Sequence, residues 1–447
     1  MSFVSVDELA VDHAAAQFYA EGWQSWSPTT WAPWGVRHRP TEPGEHTMRF
    51  RPGTPLPEDD ALQGEGLLVV DPGTGAPTRV YAVEDATEDV ASIRASRAGD
   101  RVVVTASGPV TITEYDGPVA ALSAFGDAFA RRAGVPALRP APRVWCSWYR
   151  YFENVAASDI DENLQAFDTA HLPVEVVQID DGWSTGLGEG LRPTGAFPDL
   201  PGLVDRIRST GRRVGIWLAP FVVGEHTDVA RQHPDWLTGP AGFNWGQDLV
   251  GLDVTHPEVR DYLASSVREL VELGIDYLKL DFLYAGAVPG RRREDASPVA
   301  AYRSGLALIR EAAGPATYLL GCGAPILPSV GLVDAMRVSP DTFHEGGEDG
   351  SVGLRGRMSL VARCWQQGRF WVNDPDSLVA RPSYRQRERW ARTVATYGGL
   401  RSFSDRVVEL DAWGLTATRR LLGEAPSPVP FTDEVIEASV REAGAPA

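Results

Sequence analysis

Between Arg143 and Asp405 the chain alternates eight times between a short β-prone run and a more helical segment. The runs are "RVWCSWY" from Arg143, "VEVVQID" from Val174, "RVGIWLAP" from Arg213 and "DYLKLDF" from Asp276. "TYLLGCG" from Thr317, "AMRVSPD" from Ala335, "RFWVNDPD" from Arg369 and "GGLRSFSD" from Gly398 complete the set. The intervening "HPEVRDYLASSVRELVELG" enters on a proline and leaves on a glycine, as helices do. Strands separated by helices call for a parallel sheet, since each helix carries the chain back to the start of the next strand. A doubly wound open sheet is the alternative. Eight units favour closure into a (β/α)8 barrel, whose usual size is about 250 residues.

The chain of 447 residues has room for more than that barrel. Residues 1–119 contain "HTMRFRP", "EGLLVVD", "TRVYAVE", "SIRAS", "DRVVVTAS" and "VTITEYD" between Gly, Pro and Asp clusters. That spacing predicts a smaller antiparallel β domain of sandwich type. Residues 120–142 read as a helix followed by the stiff linker "GVPALRPAPR". The barrel is expected over 143–425, with a last helix near Trp413 to Leu422, and 426–447 reads as a Pro/Ala-rich tail. No C-terminal β domain is expected.

Charge narrows the partners. A net charge of -18 disfavours nucleic acid and anionic membranes, both of which select basic patches. Cys146, Cys322 and Cys364 are odd in number and far apart, which points to a reducing compartment. The N-terminus shows neither a basic start nor a long apolar run, so no signal peptide is expected. A cytoplasmic enzyme is the expectation.

A (β/α)8 barrel carries its site at the C-terminal strand ends. The polar and aromatic residues there are Trp148 and Tyr151, Asp180 and Asp181, Trp217, Lys279 and Asp281, Cys322, Arg337 and Asp341, and Asp374 and Asp376. Lys279 and Asp281 are two apart and so share a face. A lysine beside an aspartate favours its ionised form, as a nucleophile requires. Each residue also has an ordinary role: a strand-end Asp can cap the next helix, a Lys–Asp pair can be structural, and Trp and Cys pack in cores. Independent caps have no reason to converge with indoles, however. Carboxylates accept hydrogen bonds from sugar hydroxyls, and indole faces pack on the apolar side of a sugar ring.

The stretches "WCSWYRYF", "QIDDGW", "GIWLAPF", "YLKLDFLYAGAVPG", "LGCGAP", "RVSPDT" and "FWVNDPD" resemble, in order, the motifs of glycoside hydrolase family 36, the bacterial α-galactosidases. The resemblance implies a retaining exo-α-galactosidase with Asp281 as nucleophile and Asp341 as general acid/base. It also implies that Asp180 and Asp181 grip the C4 and C6 hydroxyls of galactose, Lys279 the C3 and C4 hydroxyls and Arg337 the C2 hydroxyl. Trp217 and Tyr151 would shape the pocket, and Cys322 would lie near C2. "EGWQSWSP" resembles the family's β domain, with Trp26, or as second choice Trp23, lent to the site. No metal or organic cofactor is implied, and the partner is a small galactoside or oligosaccharide.

Related specificities would keep the same motifs: α-N-acetylgalactosaminidase, β-L-arabinopyranosidase or galactosyl transfer. A Mg²⁺-dependent barrel enzyme and a non-catalytic sugar binder are the more distant alternatives. The short terminal parts leave aglycone preference open, and a homo-oligomer stays open beside a monomer.

Overall fold

The computed structural model describes residues 2–34, 49–58, 61–187, 191–343, 347–354, 356–424 and 427–443. Eight strands form one parallel sheet. They are β1 (Arg143–Cys146), β2 (Val176–Ile179), β3 (Arg213–Leu218), β4 (Tyr277–Leu280), β5 (Tyr318–Gly321), β6 (Ala335–Arg337), β7 (Val372–Asp374) and β8 (Arg401–Phe403). Their spatial order runs from β7 down to β1 and then to β8, so neighbours in sequence are neighbours in the sheet. The circle closes between β7 and β8 through irregular backbone. The N–H groups of Gly399 and Leu400 donate to the Asn373 carbonyl, and Leu378, just past β7, pairs in parallel with Phe403. Pro375 lacks an N–H and Asp376 has a φ of 86°, which together explain why the ladder breaks there.

Strand alternation sorts the side chains. Val144, Val176, Tyr277, Tyr318, Leu320, Ala335, Val372 and Leu400 fill the barrel interior as a separate apolar cluster. Val177, Ile179, Val214, Ile216, Leu278 and Leu280 face the surrounding helices. One step towards the C-terminal end, the interior changes character, with Gln178, Lys279, Arg337 and Asp374 around a small cavity. The apolar layer is the floor on which the charged layer stands.

The loop after β3 carries an antiparallel sheet of its own, Val222–Gly224, Leu237–Asn244 and Gln247–Leu252. Sequence reading gave this stretch no strands. The tight turn Asn244–Gln247 puts positive φ on Trp245 (49°) and Gly246 (71°), the signature of a two-residue hairpin turn.

Residues before the barrel form two antiparallel sheets. One has four strands, Val4–Ala10, Arg101–Ala106, Ser92–Ala98 and Leu62–Glu65; the other has five, Trp31–Pro33, Gln17–Ala20, Leu67–Asp71, Thr78–Ala82 and Thr111–Tyr115. Phe18, Val70, Ile93 and Val104 meet in one core cluster between them. The start of the expected run "HTMRFRP" lies outside the described residues, and Arg49–Pro52 is not strand. The helix Pro118–Arg132 follows.

The C-terminal reading needs correction. Asp433–Ala443 is a helix and not a loose tail. Val435 and Ile436 are buried, and Ser439 Oγ accepts the N–H of Trp31 at 3.1 Å. The buried residues recur at helical spacing, which the Pro- and Ala-rich surroundings obscured.

Candidate active site

Two large cavities indent the described surface. One, of about 860 Å³, opens at the N-terminal end of the strands beside the linker, and Arg139, Arg143 and Arg369 on its wall are already paired with Asp334, Glu175 and Asp127. The other, of about 390 Å³, lies at the C-terminal strand ends. Although smaller, it gathers Asp180, Asp181, Lys279, Asp281 and Asp341 with Trp26, Trp148, Trp217 and Trp245. The chemistry is at this mouth, as barrel architecture requires.

The turn after β2 brings two aspartates together with different surroundings. Asp180 is buried, and its Oδ2 accepts from Lys279 Nζ at 2.9 Å and Gln178 Nε2 at 2.5 Å. Asp181 reaches the cavity wall with one oxygen accepting the Gly182 N–H at 2.8 Å. Burial pushes its carboxyl up to about 7, Asp180 and Glu153 repel its charge, and the Gly182 N–H and Lys279 oppose the rise. Gly182 has a φ of 104°, and a Cβ there would stand 2.6 Å from the Glu153 carbonyl oxygen. Only glycine lets this turn pass so close to the neighbouring loop.

β3 and β4 hold the next group. Trp217 and Lys279 are register partners across the two strands. Asp281 Oδ2 accepts Trp217 Nε1 at 3.0 Å, and its Oδ1 accepts the Phe282 N–H at 2.9 Å. Lys279 Nζ lies 3.8 Å from the same Asp281 Oδ2. Burial opposes the charge on Lys279, but Asp180 and Asp281 outweigh it and hold the ammonium well above the ordinary lysine range. Asp281 is thus fixed by two donors with its carboxylate edge at the cavity.

Across the mouth, Asp341 is half-exposed and its Oδ1 accepts Arg337 Nη1 at 2.9 Å. Arg337 itself is buried below the wall, with Nη2 on Asp376 Oδ1 at 2.6 Å. Its guanidinium stays well above its usual value: burial opposes the charge and Asp376 leads the groups that sustain it.

The β domain reaches this wall directly. Gln24 pairs with Pro325 as an isolated antiparallel bridge, and Ser25 N–H donates to the Ala324 carbonyl at 2.9 Å. Trp26 is thereby set against Phe282, edge to face at 5.2 Å between ring centres, on the cavity wall. Trp23 is wholly buried in the core.

Several expected residues do not line the cavity. Tyr151 turns away from it: its hydroxyl accepts Asn163 Nδ2 at 2.7 Å and its ring packs edge-on to Trp145. A buried phenol needs a hydrogen-bond partner, and the helix Ala157–Thr169 supplies one. Trp148, one turn earlier, lines the wall instead. Cys322 is buried outside the lining, and burial with the nearby Asp281 charge holds its thiol well above the usual range. Arg337, Asp374 and Asp376 lie around the small interior cavity beneath, so the mouth has fewer carboxylates than the strand-end inventory implied. Glu153, Tyr284 and the hairpin residues Phe243, Asn244 and Trp245 line the cavity and were missed. "NWGQ" ahead of an apolar run was the available hairpin signal.

Fold and mouth together define a (β/α)8 barrel of the glycoside hydrolase class. Residues 139–309 match the family model described as Melibiase. The α-galactosidase TtGalA from Thermus thermophilus, solved with p-nitrophenyl α-D-galactopyranoside, is 30% identical, with a TM-score of 0.75 over 95% of this chain and 89% of that one. An Escherichia coli α-galactosidase is 32% identical over 156 residues, 32% of this chain and 22% of the relative. The stretch matched is therefore about a fifth of that curated relative's length. AgaA from Geobacillus stearothermophilus, a family 36 α-galactosidase, shares the fold at a TM-score of 0.60 and 13% identity, over 93% of this chain and 61% of that one. The chain belongs to the melibiase family, the α-galactosidases of glycoside hydrolase family 36.

Proposed function

We propose that this protein is a retaining exo-α-galactosidase that releases terminal α-galactosyl residues from oligosaccharides. One observation carries the reading: Asp281, oriented by Trp217 and the Phe282 N–H, shares a 390 Å³ cavity with the half-exposed Asp341. In the first step an Asp281 oxygen attacks the anomeric carbon while Asp341 gives its proton to the departing oxygen. The glycosyl ester is then opened by water, whose proton Asp341 takes. Double displacement leaves the α configuration unchanged.

The Asp180–Lys279 pair and Asp181 supply acceptors and donors for the hydroxyls on the far side of the ring. A recognition role for Arg337 and Cys322 would be indirect, because both sit behind the wall. The relative TtGalA, solved in complex with an aryl α-galactoside, supports the choice of sugar.

Three buried, unpaired cysteines fit a reducing interior, and the cytoplasm is the proposed location. Among the described residues no helix is long and apolar enough to cross a membrane.

NMR of the first product formed from p-nitrophenyl α-galactoside tests sugar, linkage and stereochemistry together. Release of α-galactose, unaffected by EDTA, is the expected result. First-formed β-galactose, or turnover only on a different glycoside, would overturn the reading.

A further inference from the structure

Asp376 is buried and lies outside the lining of the mouth, yet every described polar contact of its carboxylate leads towards the acid side of the mouth or holds its own turn. Its Oδ1 accepts Arg337 Nη2 at 2.6 Å and the Ser377 N–H at 2.7 Å. Its Oδ2 accepts the Thr342 N–H at 2.8 Å, the Thr342 hydroxyl at 2.7 Å and the Tyr149 hydroxyl. Arg337 in turn donates to Asp341 Oδ1 at 2.9 Å. Asp341 is therefore held from two directions, by its carboxylate through Arg337 and by the next residue's backbone through Thr342. Both lines end on the two oxygens of one carboxylate.

The backbone of Asp376 adds a second, independent observation. Its φ of 86° is one that a residue with a side chain rarely adopts, and such strain persists where surroundings over-determine it. The turn is held by the Asp376 N–H on Asp374 Oδ1 at 2.9 Å. An unstrained backbone would aim the carboxylate elsewhere.

We infer that Asp376 is the positioning residue of the acid/base, fixing both the direction of the Asp341 carboxyl and the loop that carries it through Arg337 and Thr342. The inference rests on the retaining galactosidase reading and adds a residue outside the substrate's reach. Arg337, Asp341, Asp374, Tyr149 and Tyr384 are the titratable groups that face it. Burial holds its carboxyl up at about 6 even with Arg337 alongside, so the clamp keeps a charge at real cost.

The test compares Asp376→Asn and Thr342→Val with wild type on p-nitrophenyl α-galactoside and melibiose, with galactose inhibition as control. A misdirected acid harms alkyl leaving groups, which need a proton, more than phenolates, which do not. Asp376→Asn should lose at least thirtyfold in kcat/KM on melibiose and under threefold in kcat/KM on the aryl substrate, since kcat/KM reports the step in which the leaving group departs. Its galactose Ki should stay within twofold. The alkaline limb of kcat/KM against pH should move down, because a negative charge has left the acid's surroundings. Thr342→Val should show the same aryl preference at smaller size, and Thr342→Ser should restore the wild-type ratio.

A fall shared equally by both substrates with an unmoved limb would make Asp376 a merely structural residue and overturn the inference. If Asp376→Asn does not fold, the Thr342 pair decides: an unchanged aryl-to-alkyl ratio in Thr342→Val overturns it. The two readings separate cleanly. Wild-type cleavage with an aryl-selective Asp341→Gly but an unselective Asp376→Asn removes the positioning role alone. A wild type that cleaves no α-galactoside removes the parent reading and this one with it.

Discussion

Arg363 and Glu21 form an ion pair across the two domains with no solvent exposure on either side chain. Two guanidinium N–H groups donate to one carboxylate oxygen at 2.9 and 2.7 Å. The other carboxylate oxygen accepts Tyr19 Oη and Gln366 Nε2 at 2.7 and 2.9 Å. Arg363 also donates to the carbonyls of Ser25, one residue before Trp26, and of Val338, one residue after Arg337. A single guanidinium thus ties the indole side of the mouth to the acid side.

Removing one partner of such a pair leaves an uncompensated buried charge, at a cost of about 3–5 kcal/mol. Arg363→Met should unfold at markedly lower denaturant concentration. Adding Glu21→Gln to it should recover part of the loss, since the stranded charge is gone. Calorimetry on wild type should show one transition for both domains. Two well-separated transitions would mean that the pair does not couple them.

Asp181 makes a second, opposite prediction. Its folded value is raised from 3.8 to about 7, so the native state binds the proton more tightly than the unfolded chain. Its contribution to stability is full below about 4 and is lost as pH rises to about 7. At 1.36 kcal/mol per pH unit this amounts to about 4 kcal/mol. Asp181→Asn should therefore melt several degrees above wild type at pH 8, with the difference shrinking towards pH 4. At pH 8, where the carboxyl is ionised, its galactosidase rate should fall at least tenfold, since a charge-assisted hydrogen bond contributes about 1.5–3 kcal/mol. Equal melting at both pH values would remove the electrostatic explanation.

Gly323 lies beneath Trp26, and the prediction there concerns space. It has a φ of 53°, and a Cβ on it would stand 3.0 Å from the Trp26 ring. Gly323→Ala should push the indole off the wall and raise KM for galactosides several-fold with a modest loss of stability. Trp26→Ala should do the same to KM with less effect on folding. Unchanged KM in both would assign Trp26 to plain interdomain packing.

Azide separates the two acids by the face each presents to the sugar. Asp281→Gly should turn an activated α-galactoside into β-galactosyl azide, because azide enters on the nucleophile's side. In Asp341→Gly the glycosyl ester still forms from a good leaving group, and azide gives the α anomer. NMR of the products assigns the roles, and the reverse pattern would exchange them.

The parts of this molecule legible in sequence were those with short-range or invariant geometry. Strand–helix alternation is local, so all eight barrel strands could be read from the residues alone. Lys279 and Asp281 could be placed on one face because strand side chains alternate. Burial, by contrast, depends on distant neighbours. Arg337 was expected at the sugar and is buried behind the lining of the mouth, with its guanidinium drawn inward by Asp376, thirty-nine residues on. Tyr151 was expected in the pocket and found Asn163 instead. The hairpin that brings Phe243 and Trp245 to the mouth went unread because short strands inside a βα loop resemble any irregular segment.

The helix Asp433–Ala443 gives the protein a timetable. Trp31 leaves the ribosome well before the barrel does, and the hydroxyl that accepts its N–H belongs to Ser439, 408 residues later. At about 5–20 residues per second, that interval is roughly 20–80 s. The β domain, the barrel and the Arg363 bridge can all be synthesised before this contact exists. During that time the edge at Trp31–Pro33 is without its covering helix, a state in which chaperones and premature termination would have their greatest effect on yield.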